Sequence, residues 1–321
     1  MHCIACEKTL IHNLSIKSIC YKNTWRTKLL AVLMLWLGIA GPSAGADFTF
    51  VAFGDTPYTE DEEPRFVSMI AEINREQPAF SIHVGDFKSG WSPCTNALFL
   101  QRRDWFALFH QPLIFTPGDN EWTDCHRAFG ATHDPLERLH KLRSLFFFDL
   151  YSLGQQKIAL TRQSTAYPEN ARWKHQGIVF ATLNVPGSAN NQRMPAELAA
   201  RTKANEAWIS RTFDAAREQS SRAVVLALQA NPFGDNSKDG PYASLLHAIT
   251  RETVNFNGEV LLIHGDTHRY RMDQPLADPR GRSTLRNFTR LEVFGYPFVN
   301  WVRVRVSQRD GKATFTPSPG S

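Results

Sequence analysis

Residues 47–55 read Asp47-Phe48-Thr49-Phe50-Val51-Ala52-Phe53-Gly54-Asp55. An apolar, aromatic-rich run that closes on Gly-Asp is the pattern of a strand running into a tight turn. The same figure returns twice. Residues 79–86 read Ala79-Phe80-Ser81-Ile82-His83-Val84-Gly85-Asp86, and residues 112–119 read Pro112-Leu113-Ile114-Phe115-Thr116-Pro117-Gly118-Asp119. Between the first two runs, Phe66, Met69, Ile70 and Ile73 recur at helical spacing, and residues 97–109 also read as a helix. Strands that are apolar throughout, alternating with helices, belong to a sheet covered on both faces. The order βαβαβ therefore predicts a layered α/β domain.

The alternation continues outward from this core. Helices are expected at 135–147, 196–218 and 242–250, and strands at 177–183, 223–228, 259–263, 288–294 and 298–306. The domain is expected to span 47–308, with residues 130–173 as a small helical insertion. The tail 309–321, which holds Pro317 and Pro319, is expected to be disordered.

Ahead of the domain, residues 29–40 form an apolar run too short to span a bilayer comfortably. Lys22, Arg26 and Lys28 precede it and Pro42-Ser43-Ala44-Gly45-Ala46 follow it. That is the pattern of a secretory signal peptide cut after Ala46, with an uncleaved N-terminal anchor as the alternative. The chain is then expected to be periplasmic or secreted, with no membrane span in its mature part. Residues 1–46 hold five of the 36 basic and one of the 31 acidic residues, so the remainder carries 31 against 30, a net of +1. The excess of basic charge thus sits in the leader, and nothing in the mature chain marks nucleic acid as a partner. Cys3, Cys6 and Cys20 leave with the leader. The two that remain, Cys94 and Cys125, are expected to form a disulfide in an oxidising compartment. In the chain-entropy model such a bridge contributes roughly 3–4 kcal/mol.

Chemistry-bearing residues stand where the strands end. Asp55, Asp86 and Asp119 follow the first three strands, Gln229 and Asn231 follow the run at 223–228, and His264-Gly265-Asp266-Thr267-His268 closes the run at 259–263. Ligands of open α/β sheets bind beyond the carboxyl ends of the strands. Carboxylates gathered there repel one another unless a cation sits among them, and oxygen-rich donors with one or two His suit a hard or borderline divalent ion. Beyond residue 46 the sequence holds no G-x-S-x-G elbow, which excludes an α/β serine hydrolase.

In order and spacing these motifs resemble the calcineurin-like metallophosphoesterases, whose pattern runs D-x-H, G-D, G-N-H-E/D, a later His, and G-H-x-H. The resemblance covers most of the chain beyond residue 46. It implies a β-sandwich with flanking helices in four layers, α/β/β/α. It further implies hydrolysis of a small phosphomonoester or phosphodiester by a metal-activated water, with one or two divalent ions (Mn, Mg, Ca, Fe or Zn). Carried over residue by residue, Asp55 and His268 would bind a first metal and Asp86 would bridge two. Asp119 stands for the family's Asn, Asp266 for a His, and Gln229 or Asn231 for another His. Tyr58 follows Pro57, which stands where the first motif's His is expected, and Tyr58 and His264 are further candidate ligands. Asn120 replaces the His that assists the leaving group, Glu121 keeps an orienting role, and His126 and His133 are nearby substitute acids. Lys88, Arg127 and Arg269 are candidate substrate contacts. Among the ligands the exchanges mostly run from nitrogen to oxygen, which shifts the preference from zinc toward magnesium, manganese or calcium, or leaves a single competent site. The competing expectation is a binding protein on the same fold with a degenerate site.

Overall fold

The computed structural model describes residues 46–127, 132–234 and 240–320. Residues 1–45 of the expected leader, with Cys3, Cys6 and Cys20, lie outside the described residues, as does Ser321.

Two mixed sheets stack face to face. The first has the order β12-β11-β1-β2-β3, with β1 (Phe48–Phe53), β2 (Ser81–His83) and β3 (Leu113–Phe115) parallel. β11 (Val302–Arg309) runs antiparallel to β1, and β12 (Lys312–Pro319) antiparallel to β11. The second sheet has the order β4-β5-β6-β7-β8-β10-β9. Its parallel centre comprises β6 (Ile178–Thr182), β7 (Ala223–Ala227), β8 (Glu259–His264) and β10 (Phe288–Glu292). Short antiparallel strands flank it: β4 (Thr161–Arg162) and β5 (Ala171–His175) on one side, β9 (Arg271–Asp273) on the other.

The period-2 alternation of each strand assigns the layers. Phe50 and Ala52 of β1 point between the sheets and meet Phe180, Val225, Leu261 and Leu291 of the second sheet in one buried cluster. Val51 and Phe53 point the other way and pack on α1 (Glu63–Glu76), α2 (Asn96–Phe106) and α3 (Pro135–Phe146) through Phe66, Ile70, Phe99, Phe106 and Leu142. On the far side, Val179, Val224 and Leu262 pack on Trp208 and Phe213 of the long helix Pro195–Glu218 and on Ile249 of helix Ala243–Val254. The result is the four-layer α/β/β/α sandwich that the motif order implies. Among the described residues, no helix is long and apolar enough to cross a membrane.

Three segments differ from the sequence-based expectation. The tail is ordered: β12 pairs with β11 from Lys312 to Pro319, with Ala313 and Phe315 buried. Its prolines are tolerated because β12 is an edge strand with one side free of ladder bonds. The strand expected from residue 298 begins only at Val302. Residues 295–301 instead form a loop, in which the Tyr296 N–H donates to the Asp55 carbonyl. Residues 132–173 are only partly helical. α3 belongs to the outer helical layer, Leu153 pairs with edge residue Leu113, and the chain then enters β4 and β5.

Candidate metal centre

The parallel strands of both sheets end on one rim of the sandwich. Asp55 lies two residues past β1, Asp86 three past β2 and Asp266 two past β8, and Gly118-Asp119 follows β3. Asp55, Asp86, Asp266 and His268 all adopt left-handed backbone, with φ of 53°, 60°, 77° and 60°. For residues with a Cβ this region is sparsely populated, and such strain collects at functional sites because the surroundings impose it.

The side chains meet. Both Asp55 carboxylate oxygens accept from the Asp266 N–H, at 3.0 and 3.1 Å. Asp86 Oδ1 accepts from Asn120 N at 3.0 Å. Its Oδ2 accepts from Asn120 Nδ2 at 2.8 Å, Gln229 Nε2 at 3.1 Å and the Tyr58 hydroxyl at 3.1 Å. Tyr58 Oη also lies 3.3 Å from His268 Nε2. Glu121, fully buried, accepts from the N–H groups of Asp86 and Gly118 and so fixes two motif loops together. Backbone crowds the carboxylates: a Cβ on Gly118 would stand 2.0 Å from Asp86 Oδ1, and one on Gly265 would stand 1.9 Å from Asp55 Oδ2.

The electrostatics follow from burial and like charge. Desolvation first, and then Asp266, raise the Asp55 pKa well above the usual carboxylate range; desolvation and then Asp119 do the same to Asp86. Asp266 is raised to about 6 and Asp124 to about 7, each by burial and then by Asp119. Burial raises Glu121 to about 7 and lowers Lys88 to about 8. Burial, and then the Asp86 charge, raise the Tyr58 pKa well above 10. Burial lowers His268, leaving a neutral ring.

A cleft of about 460 Å³ opens over this cluster, with Asp86, Asp119, Asp266, Asn120 and His268 inside and Tyr58, Trp91 and Tyr296 around them. Asp119 gives the clearest fit to a cation. Its Oδ1 is buried without a hydrogen-bond partner, while Oδ2 takes the Ser188 hydroxyl at 2.5 Å. An orphaned carboxylate oxygen among three further carboxylates is the donor chemistry of a hard divalent ion. Among the described residues, no three His, Cys, Asp or Glu side chains yet stand in the arrangement of a ready-made metal centre.

Other candidates are placed differently. Asn231 does not turn its side chain to the cluster. Its backbone N–H donates to Asp266 Oδ2 at 2.8 Å, and its Oδ1 accepts from Phe233 N, because the chain turns back on itself there. The Gln229 side chain reaches the cluster instead, donating to Asp86 Oδ2 at 3.1 Å. His264 is fully buried, with Nδ1 on the Gly265 carbonyl; burial lowers its pKa to about 3, and the charges acting on it are Arg290, Arg271 and Asp273 rather than the cluster. Arg269 lines a neighbouring cavity. Arg127 lines the cleft and pairs with Asp124. Lys88 is 1% exposed and donates to the Ser89 carbonyl at 2.8 Å. Neither His126, which bonds Thr123 O, nor His133 lines the cleft. Cys94 and Cys125 are joined, with Cα atoms 5.7 Å apart, and tie the loops after β2 and β3.

Two participants carry no strand-end signal. Asp124, in a 3-10 turn, shares the Ser188 hydroxyl at 3.0 Å. Ser188 belongs to a run of left-handed residues, Ser188 to Asn191. Such a run costs roughly 1–2 kcal/mol per residue. Buried Arg201 imposes it, donating to Asn190 Oδ1 at 2.6 Å and to Asn190 O at 3.0 Å.

The calcineurin-like phosphoesterase family model matches residues 48–270, more than half of the chain, and the chain belongs to that family. Among solved structures, the purple acid phosphatase PPD1 from yellow lupin (Lupinus luteus) seeds is similar with a TM-score of 0.51 at 11% identity, over 83% of this chain and 50% of that one. PhoD is similar with a TM-score of 0.48 at 12% identity, over 83% of this chain and 65% of that one. A dimetal phosphatase from Danio rerio has a TM-score of 0.45 at 12% identity, over 85% and 98%. The chain thus spans half of the lupin protein and under two thirds of PhoD. No curated protein matches it.

One consequence concerns Asp119, whose charge raises Asp55, Asp86, Asp124 and Asp266 alike. Asp119→Asn removes that charge and keeps an acceptor for Ser188. It is expected to stabilise the metal-free protein by about 1 kcal/mol, the scale of a typical single substitution. Urea unfolding in EDTA measures this; a less stable variant would show that repulsion is not the governing term.

Proposed function

We propose that the protein is a metal-dependent phosphoesterase that acts on small phosphate esters outside the cytoplasm. The observation that carries this reading is the convergence of Asp55, Asp86 and Asp119, all buried, with Asp266, around an Asp119 oxygen that has no partner. Asp55, Asp86, Asp119, Asp266 and His268 would hold one or two divalent ions, with Gln229 contributing an amide. A bound ion supplies positive charge against the phosphoryl oxygens and acidifies water. The Cys94–Cys125 bridge supports an oxidising compartment.

The chain's own groups do the rest. Glu121 holds the loops of Asp86 and Gly118 in register. Tyr58 and Asn120 are donors 3.0 Å apart at the cleft and orient an oxygen of the ester. Arg127, half exposed at the cleft, offers a guanidinium to the phosphoryl group. Asn120 stands where the family's acid stands and has no proton to give. The preferred substrates are therefore esters or anhydrides whose leaving group needs no strong acid.

The test is metal content of the purified protein, with hydrolysis of p-nitrophenyl phosphate, bis(p-nitrophenyl) phosphate and an alkyl phosphate across Mg, Mn, Ca and Zn. Metal-dependent turnover, faster for the nitrophenyl esters, is expected. A second reading, a binding protein with a degenerate site, draws on the Asp119, Asp266 and Gln229 that stand where the family's Asn and two of its His ligands are expected. Tight metal or anion binding without turnover under any ion would establish that reading instead.

A further inference from the structure

The chain that leaves the cleft serves two cavities at once. Asp266 and His268 line the carboxylate cleft. Thr267, Arg269 and Arg271 line a second cavity, also of about 460 Å³, together with Asn231, Phe233 and Arg290. Glu292, fully buried, fixes this wall. It accepts from the Thr267 hydroxyl, from Arg269 N at 3.1 Å and from Arg271 Nε at 2.7 Å. Arg290 is only 4% exposed. It donates to Asp273 Oδ1 at 2.7 Å and lies over the Phe233 ring at 5.0 Å. Among the described residues, three guanidinium groups therefore face two paired carboxylates, Glu292 and Asp273, an excess of one positive charge. The Arg269 guanidinium carries that excess: among the described residues its side chain makes no hydrogen bond or ion pair.

We propose that this second cavity is an anion-binding subsite for a phosphoryl or carboxylate group on the alcohol side of the substrate. Guanidinium groups match such oxyanions in fork geometry. The two cavities share the wall at residues 266–269, and the Asn231 backbone N–H joins them by donating to Asp266. The preferred substrate then carries two anionic groups, one over the carboxylate cleft and one on Arg269. This rests on the phosphoesterase reading for the identity of the first group; the subsite itself stands on its own residues.

The experiment separates the two ideas by working without metal. Inorganic pyrophosphate is titrated by calorimetry into the full chain stripped of metal on a chelating resin, with no soluble chelator present, where the carboxylate cleft repels anions. The wild-type protein is expected to bind it. Arg269→Gln, a change at an exposed side chain, is expected to weaken binding by about tenfold, the value of one lost charge-assisted contact. Asp86→Ala, which alters only the cleft, is expected to leave binding no weaker. Absence of binding, equal affinity in Arg269→Gln, or loss in Asp86→Ala would each overturn the subsite. Turnover enters none of these readouts, so an inactive protein with Arg269-dependent binding overturns only the phosphoesterase reading.

Discussion

Asp86→Ala is expected to abolish divalent-metal binding and to lower kcat/KM toward p-nitrophenyl phosphate on the order of 10³-fold or more, about 4 kcal/mol of transition-state stabilisation. No other carboxylate in the cleft joins so many parts of the chain: it accepts from Tyr58 after β1, Asn120 after β3 and Gln229 after β7. Stability of the metal-free protein should change far less, because two effects oppose each other. Truncation leaves those donors without their acceptor, at about 1–3 kcal/mol for each that water does not reach. It also removes a buried charge that Asp119, Glu121 and Asp55 repel. The signature is thermal: the wild-type protein melts higher with added metal, and the variant does not. Metal-dependent turnover at wild-type rate in Asp86→Ala would end the case for this centre.

The sandwich and most of this centre were legible because each cue was local. An apolar run closing on Gly-Asp marks a strand end, and the same cue gave Asp55, Asp86, Asp119 and Asp266. What escaped was set by distant contacts. Residues 171–175, Ala-Arg-Trp-Lys-His, hide a strand because only Ala171 and Trp173 face the core. β12 was obscured by its prolines, whose tolerance depends on an edge position that local sequence does not reveal. Ser188 reaches Asp119 only through a left-handed turn locked by Arg201 on another element; Gly187, Asn190 and Asn191, residue types that accept such backbone, were the sole hint. The choice between Gln229 and Asn231 depended on where the chain turns after β7, which neither residue's chemistry decides.

Gly265→Ala tests whether the cluster is held as tightly as the geometry states. The new Cβ would lie 1.9 Å from Asp55 Oδ2 and 3.3 Å from Oδ1. Relief by a swing of Asp55 is blocked, since that residue is fully buried and its carboxylate is held by the N–H of Asp266, the residue after the glycine. Overpacking of this kind costs about 1–3 kcal/mol. Because the displaced atom belongs to a proposed ligand, metal affinity should fall on the order of 100-fold, at or beyond the upper end of what disturbed supporting contacts cost. The diagnostic measurement is a double-mutant cycle. In an Asp55→Ala background the clash has no partner, so Gly265→Ala should cost little further stability, while metal binding stays lost. An undiminished cost in that background would place the strain elsewhere in the loop and refute the account of Gly265 as room made for the Asp55 carboxylate.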